Sequence, residues 1–280
     1  MNIKKKVYKS LSNIRNFQYK YKLDKNKKIF KVDISDFYKN PYTFFKSIYY
    51  IESSSLIIYF AQFTKITPNQ LTFIYIILGV LGCLFLASND DTLIIISSFF
   101  FFTKGSFDWA DGSLAKIQKK TSSLGNLLDN WGALVGHYSF VIGFGIYIYN
   151  KENGIIFIFL ILLIIFLKLI DIKNYAYQLF SIEFEIAKDK KNFLKKINFK
   201  NKYNFIKKKR SFLFFIQELF KSFIDDRSRT VDFILFLILL DSFYLDIFFL
   251  KYIFYYITFK TVVIFFGKIY VIINKNNIYN

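Results

Sequence analysis

The sequence contains one cysteine, Cys83, set within an apolar run, which excludes an internal disulfide and a cysteine-based metal cluster. It also lacks a P-loop, a dinucleotide-binding glycine fingerprint, an HExxH pair and a serine in a GxSxG elbow. Gly143, Phe144 and Gly145 do not make a phosphate loop, because they fall inside a long apolar segment where small residues serve packing. No internal repeat of the transporter kind is present. Met1 to Lys31 is basic and interrupted rather than continuously apolar, so no cleavable signal peptide is expected there. Acidic residues are scarce, with 20 Asp and Glu against 39 Lys and Arg.

What is present is apolar and basic at once. Hydrophobic residues make up 54% of the 280 and the formal net charge is +19, a combination natural to a membrane protein with basic cytoplasmic loops and rare in soluble domains. The excess of Phe, Tyr, Ile, Lys and Asn is also what an AT-rich gene would encode. Positive charge alone is therefore not read as nucleic-acid binding, and no nucleic-acid partner is expected.

One stretch breaks the apolar pattern. Asp108 to Asp129 reads DWADGSLAKIQKKTSSLGNLLD, between two of the most apolar segments of the chain. Carboxylates beside runs of Phe, Ile and Leu must be paired, hydrated or bound to a cation. On a helix, Asp108 and Asp111 stand at i, i+3 and share one face about a turn apart. Two such oxygen donors suit Mg²⁺ or Mn²⁺. Gly112 and Ala115 continue that face with almost no side chain, so a bulky phosphate-bearing ligand has room to approach, and Lys116 adds a positive charge at the mouth. After the KKTSS turn, a second apolar helix starting at Leu124 carries Gly125 and Asp129. A helical hairpin would bring Asp129 back toward Asp108 and Asp111, giving a three-carboxylate metal site.

This pattern resembles the signature of the CDP-alcohol phosphatidyltransferases, Asp-x2-Asp-Gly-x2-Ala-Arg-x8-Gly-x3-Asp-x3-Asp. Asp108, Asp111, Gly112, Ala115, Gly125 and Asp129 match it with every gap correct. Lys116 stands where the family has Arg, and Ala133 where it has the last Asp. The entry Thr67-Pro68-Asn69-x-Leu71-Thr72 independently resembles the family's lead into its first membrane helix.

The fold expected is an all-α integral membrane protein, with six transmembrane helices and an N-terminal interfacial amphipathic helix. Met1 to about Lys31 reads as a lysine-rich, solvated or anionic-lipid-touching tail with no helical period. In Val32 to Lys65, Leu56, Ile57, Phe60 and Phe63 recur at helical spacing, which reads as a helix on the membrane surface, with a helix packed on the domain as the equal alternative. Residues 1–65 are thus a basic cytoplasmic tail and interfacial helix. Residues 66–273 form the membrane domain, with a basic insertion at 173–229, and 274–280 a cytoplasmic tail. The six spans are placed at Leu71 to Ala87, Leu93 to Ala115, Leu124 to Tyr149, Ile155 to Ile172, Val231 to Ile247 and Tyr252 to Ile273. The basic residues gather at the amino terminus, in the 116–123 turn and in the insertion. By the positive-inside rule both termini and the motif then face the cytoplasm.

The resemblance implies transfer of a phosphoalcohol group from a CDP-alcohol to a hydroxyl acceptor, with release of CMP, in phospholipid biosynthesis. It implies Mg²⁺ or Mn²⁺ on Asp108, Asp111 and Asp129, and contacts to the donor from Gly112, Ala115, Lys116, Ser122, Asn69 and Thr72. It also suggests a homodimer in membrane lipid. In the family the final Asp takes the acceptor's proton, and Ala133 does not replace it. His137, the one histidine, lies a turn beyond on about the same helix face and is a candidate substitute base, behind the reading of a buried histidine bonded to a neighbouring helix. A catalytically degenerate member that binds nucleotide or lipid as a partner subunit is the second functional reading. Lys104, one turn before Asp108, is expected to neutralise it or to contact phosphate rather than to snorkel. Asp241 and Asp246 are expected to be solvent-exposed at the far end of the fifth span.

Overall fold

The structure, a computed structural model, describes residues 10–22, 41–64, 66–88, 90–170, 228–243 and 249–273, and these are helices and short turns. In chain order the helices are α1 (Leu11–Lys22), α2 (Pro41–Ala61), α3 (Pro68–Leu86), α4 (Asp91–Ile117) and α5 (Ser123–Glu152). They continue as α6 (Ile156–Ile170), α7 (Ser228–Phe243) and α8 (Leu250–Ile273). The expected basic insertion and the 274–280 tail lie outside the described residues, apart from the first turn of α7, as does Asp246.

Helix starts follow local chemistry. Thr67 and Gln70 form a reciprocal capping box at α3, and Pro68 occupies the first turn, where a missing N–H costs nothing. Asp90 caps α4 by accepting from Leu93 N at 3.0 Å, and Ser122 caps α5 by accepting from Gly125 N at 3.0 Å. The α4–α5 turn passes through Lys119 in the left-handed region, where the KKTSS stretch predicts a turn. Asn153, also left-handed, ends α5.

By length and composition, α3, α5 and α8 are long and apolar enough to cross a bilayer among the described residues. Helix α4, at 27 residues, is long enough but carries Lys104, Asp108, Asp111 and Lys116. Helix α6 is apolar but shorter, and α7 has 16 residues. Among the described residues, length and composition mark three of the six expected spans.

The chain divides into two compact units, Met1–Asn153 with Ser211–Leu250, and Gly154–Arg210 with Lys251–Asn280. In the second, Phe157 of α6 stacks on Tyr255 of α8 at 5.5 Å between ring centroids and meets Phe254 at 6.2 Å.

In the first unit α3 is the central helix, packed most extensively against α4 and α5. Helices α3 and α5 run parallel along a seam of small residues. The Cβ that Gly79 lacks would lie 3.3 Å from the Gly136 Cα, that of Gly143 3.1 Å from the Cys83 carbonyl, and that of Gly132 inside the Tyr75 ring. In lipid, close backbone approach of this kind replaces hydrophobic burial as the source of helix association. The opposite side of α3 turns Phe73, Ile77, Val80 and Leu84 outward, as a lipid-facing stripe requires.

Helix α2 packs on α4 and α1. Its buried face is rich in small polar residues, Ser47, Ser54 and Ser55 among them, whereas Phe45, Leu56, Phe60 and Phe63 point outward. Ser hydroxyls satisfy themselves on the preceding turn, as Ser55 does on the Ile51 carbonyl at 2.6 Å.

Two expectations change. Residues 11–22 form a helix, not a solvated tail: Ile14 and Gln18 are fully buried. Gln18 donates to Ser54 Oγ of α2 at 2.7 Å and accepts from Ser113 Oγ of α4 at 2.8 Å, so α1 locks both helices together. Its buried face is too narrow and too polar to show as a hydrophobic period. Asp241 is not solvent-exposed either. Its side chain is 1% exposed, held by Lys151 Nζ at 2.6 Å and by the Tyr147 hydroxyl at 2.5 Å, both from α5. A carboxylate near the end of an apolar helix is stabilised by such a pair more readily than by partial hydration.

Candidate active site

The motif occupies the last turns of α4 and the first turns of α5, on either side of the Lys119 turn. Buried Ile14, Ile58, Ala61, Leu71, Ala110 and Leu114 form one core cluster that ties this end of α4 to α1, α2 and α3. The site thus stands on four packed helices.

Asp111 is 4% exposed. Its Oδ2 accepts from the Thr72 hydroxyl of α3 at 2.5 Å, and Thr72 is itself buried and also reaches the Pro68 carbonyl. Asp129, half-buried on α5, is reached from the same helix: the Tyr75 hydroxyl donates to the Asp129 carbonyl oxygen at 2.7 Å and lies 3.4 Å from its Oδ1. Tyr75 is 2% exposed, and its hydroxyl lies in the electrostatic field of Asp108, Asp129 and Asp111 together. Tyr75 of α3 thus reaches the start of α5 at Asp129, as Thr72 reaches Asp111 of α4. Among the described residues no three His, Cys, Asp or Glu side chains stand close enough to form a closed metal cluster.

The remaining expected residues distribute around this centre. Gly112 faces open space, with nothing within 4 Å of the position its Cβ would take. Ala115 and Lys116 follow on α4, both half-buried. Ser122 is exposed and serves as the α5 cap. A Cβ on Gly125 would lie 3.2 Å from Ser122 Oγ and 3.4 Å from Asn69 Oδ1, which places Asn69 beside the start of α5. Ala133 is exposed one turn past Asp129, and Asn130 is exposed beside it. His137 is half-buried two turns past Asp129, its ring 6.0 Å from that of Tyr138.

Lys104 lies deeper on α4. Its ammonium is packed against Gly136 of α5, where any side chain would displace it, and lies 5.7 Å from the centroid of Phe101. The aliphatic stem passes Gly79 of α3. It is half-buried and turned inward among the helices rather than snorkelling. Asp108 is the first of the charges that act on it, followed by Lys46 and Asp232. Those two make a buried ion pair between α2 and α7, to which the Tyr42 hydroxyl also donates.

Asp108 and Asp111 stand a turn apart on α4 and Asp129 on α5, and α4 and α5 both pack on α3. The CDP-alcohol phosphatidyltransferase family model matches residues 65–198. Over these residues the chain is similar to that family. No curated protein matches the chain. The family acts on a CDP-alcohol and an alcohol acceptor in membranes, and its chemistry is phosphoalcohol transfer in lipid biosynthesis. Apolar helices and family together make this an integral membrane protein. The match takes in α3 to α6 and leaves α1, α2, α7 and α8 outside it.

Sequence reasoning missed three residues of this site. Tyr75 and Gly132 form a contact between α3 and α5, and Gly136 gives Lys104 its place. Nothing at fixed spacing from the aspartates marks Tyr75, since its role depends on the crossing of two helices.

Proposed function

We propose that the chain catalyses metal-dependent transfer of a phosphoalcohol group from a CDP-alcohol to a hydroxyl acceptor, releasing CMP. The observation that carries this reading is that Thr72, on α3, holds the Asp111 carboxylate of α4, while Tyr75, one turn on, donates to the Asp129 backbone carbonyl of α5. Such fastening holds acidic groups in an apolar setting, where they are useful only toward a cation.

The donor set fits a hard divalent cation. Its oxygens would all be anionic carboxylates, from Asp108, Asp111 and Asp129. When bound there, Mg²⁺ or Mn²⁺ would screen the pyrophosphate and stabilise the departing phosphate. The residues do the rest. Thr72 keeps Asp111 from rotating. Gly112 leaves the face of α4 open to a bulky ligand, and Ala115 keeps the next turn low. Lys116 supplies positive charge to the nucleotide phosphates, with Asn69 and Ser122 bordering the same end of α5. The acceptor oxygen forms a bond to the phosphorus that bears the alcohol, the bond from that phosphorus to the CMP phosphate oxygen breaks, and CMP departs. The acceptor's proton passes to His137. In the membrane the chain is a homodimer, with six spans and the motif on the cytoplasmic side, where soluble nucleotide is available.

Ala133 favours a second reading. It removes the carboxylate that would take the acceptor's proton, and its exposed neighbour Asn130 is a poor base. A member that binds nucleotide or lipid without turnover would serve as a partner subunit. Purified protein with Mn²⁺ or Mg²⁺, a labelled CDP-alcohol and a pool of hydroxyl acceptors separates the two. Release of CMP that is abolished in Asp111→Asn establishes the transferase. Nucleotide binding without CMP from any donor establishes the second reading.

A further inference from the structure

We infer that α1 sets the rotation of the motif turn of α4, with Gln18 as a positioning residue of the aspartate site. The inference rests on the transferase reading above and extends the site to a helix that the family match leaves out.

The motif turn is held from two sides. Thr72 of α3 holds Asp111. Ser113, two residues on, points about 200° away around the helix, and its hydroxyl donates to Gln18 Oε1 of α1 at 2.8 Å. Gly112, between them, faces open space. A single side contact lets a helix roll about its axis, whereas two on nearly opposite sides do not.

Gln18 suits this task because its amide is used at both ends. Its Nε2 donates to Ser54 Oγ of α2 at 2.7 Å, and Ser54 gives its own proton to the Ile51 carbonyl at 3.3 Å. Ser54 therefore only accepts from the amide, which turns the nitrogen to α2 and the oxygen to α4. Gln18, Ser54 and Ser113 are all buried. Ile14 of α1 packs in one apolar cluster with Ala110 and Leu114 of α4. Apolar contact has no direction of its own, and the hydrogen bonds supply one. Without the amide, the Ser113 hydroxyl still has a carbonyl of the preceding turn to turn to, as Ser55 does on Ile51. The fold tolerates that loss better than the alignment of the motif does.

The test uses the full chain in nanodiscs with a labelled CDP-alcohol, a pool of hydroxyl acceptors and Mn²⁺. Gln18→Met keeps the length and packing of the side chain and removes both hydrogen bonds. It should lower kcat per folded chain by about tenfold or more, because small misplacements of reacting groups are costly, and change KM for the CDP-alcohol much less. Ser113→Ala should do the same, and the double variant should be no slower than either single one, since both remove one interaction. A second readout is independent of turnover: a nitroxide on Gly112→Cys in a Cys83→Ser background, where the label has room. Gln18→Met should raise the mobility of that label in electron paramagnetic resonance. A Gln18→Met chain that folds less well but keeps its kcat, additive single variants, or an unchanged label would overturn the inference and leave the transferase reading standing. No CMP from the wild type, with the label still loosened by Gln18→Met, would remove the transferase reading and leave the hold of α1 on α4 in place.

Discussion

The Thr72 hydroxyl donates to Asp111 Oδ2 at 2.5 Å, and both side chains are buried. A single turn of α3 thereby fixes the orientation of the most deeply buried carboxylate in the motif. The relation explains why the Thr-Pro-Asn-x-Leu-Thr entry and the aspartate motif, 39 residues apart from Thr72 to Asp111, occur together.

Removing that hydroxyl takes one hydrogen-bond donor from Asp111. A hydrogen bond to a charged group is worth about 1.5–3 kcal/mol, so Thr72→Val should lower CMP release by roughly tenfold or more and weaken Mn²⁺ binding in parallel. Thr72→Ser should restore most of both. If Thr72→Val turns over at the wild-type rate, the hydroxyl has no part in holding Asp111.

Gly132 gives a second prediction. Its missing Cβ leaves room for the Tyr75 ring and hydroxyl, which then reach Asp129. Gly132→Ala should cost about 1–3 kcal/mol by overpacking and lower the unfolding temperature in detergent. Tyr75→Leu should also destabilise, through the lost hydrogen bond. Combined with Gly132→Ala it should cost clearly less than the sum, because the two residues share one space. Additive effects would show that they do not touch.

Much of this architecture is legible in the sequence because membrane helices declare themselves by length and the motif by fixed gaps. Leu71 to Ala87 and Leu124 to Tyr149 are placed within a few residues of α3 and α5, since Thr67 and Ser122 cap them visibly. The hairpin of α4 and α5 is legible too, through the short turn between them. What stays hidden depends on which helices cross where. Lys151 and Asp241 lie 90 residues apart, and no local pattern announces a pair. Gln18 is buried by two serines from different helices, a polar contact that hydrophobic periodicity does not register.

The docking of α1 should depend on acid. Glu52 of α2 accepts from the Tyr19 hydroxyl at 2.6 Å and pairs with Arg15 at 2.8 Å. Partial burial pushes the Glu52 carboxyl up, but hydrogen bonds from Arg15 and Tyr19 outweigh it and hold the carboxyl below its ordinary 4.5. A carboxyl depressed in the folded state stabilises docking at pH above its ordinary value, and that contribution is lost as pH falls through the lowered one. Protease cleavage within α1 should therefore accelerate below about pH 4.5 in the wild type. In Glu52→Gln it should be faster at neutral pH and flat across that range. A wild-type profile without this rise would show that Gln18, Ile14 and their partners hold α1 unaided.

His137 is the sharpest point of the catalytic reading. It lies two turns past Asp129 and is half-buried on α5, and Ala133 stands one turn past Asp129. If His137 takes the acceptor's proton, His137→Asn should lower kcat by about 10²-fold or more, since removing a general base typically costs that much. KM for the CDP-alcohol should change little, because the imidazole would act on the acceptor and not on the nucleotide. The wild-type kcat profile should rise with pH through the range in which an imidazole loses its proton, and Ala133→Asp should restore turnover to His137→Asn while moving that rise to lower pH. A His137→Asn enzyme with an unchanged pH profile would assign the proton to another acceptor, and a restored Ala133→Asp enzyme without the shift would do the same.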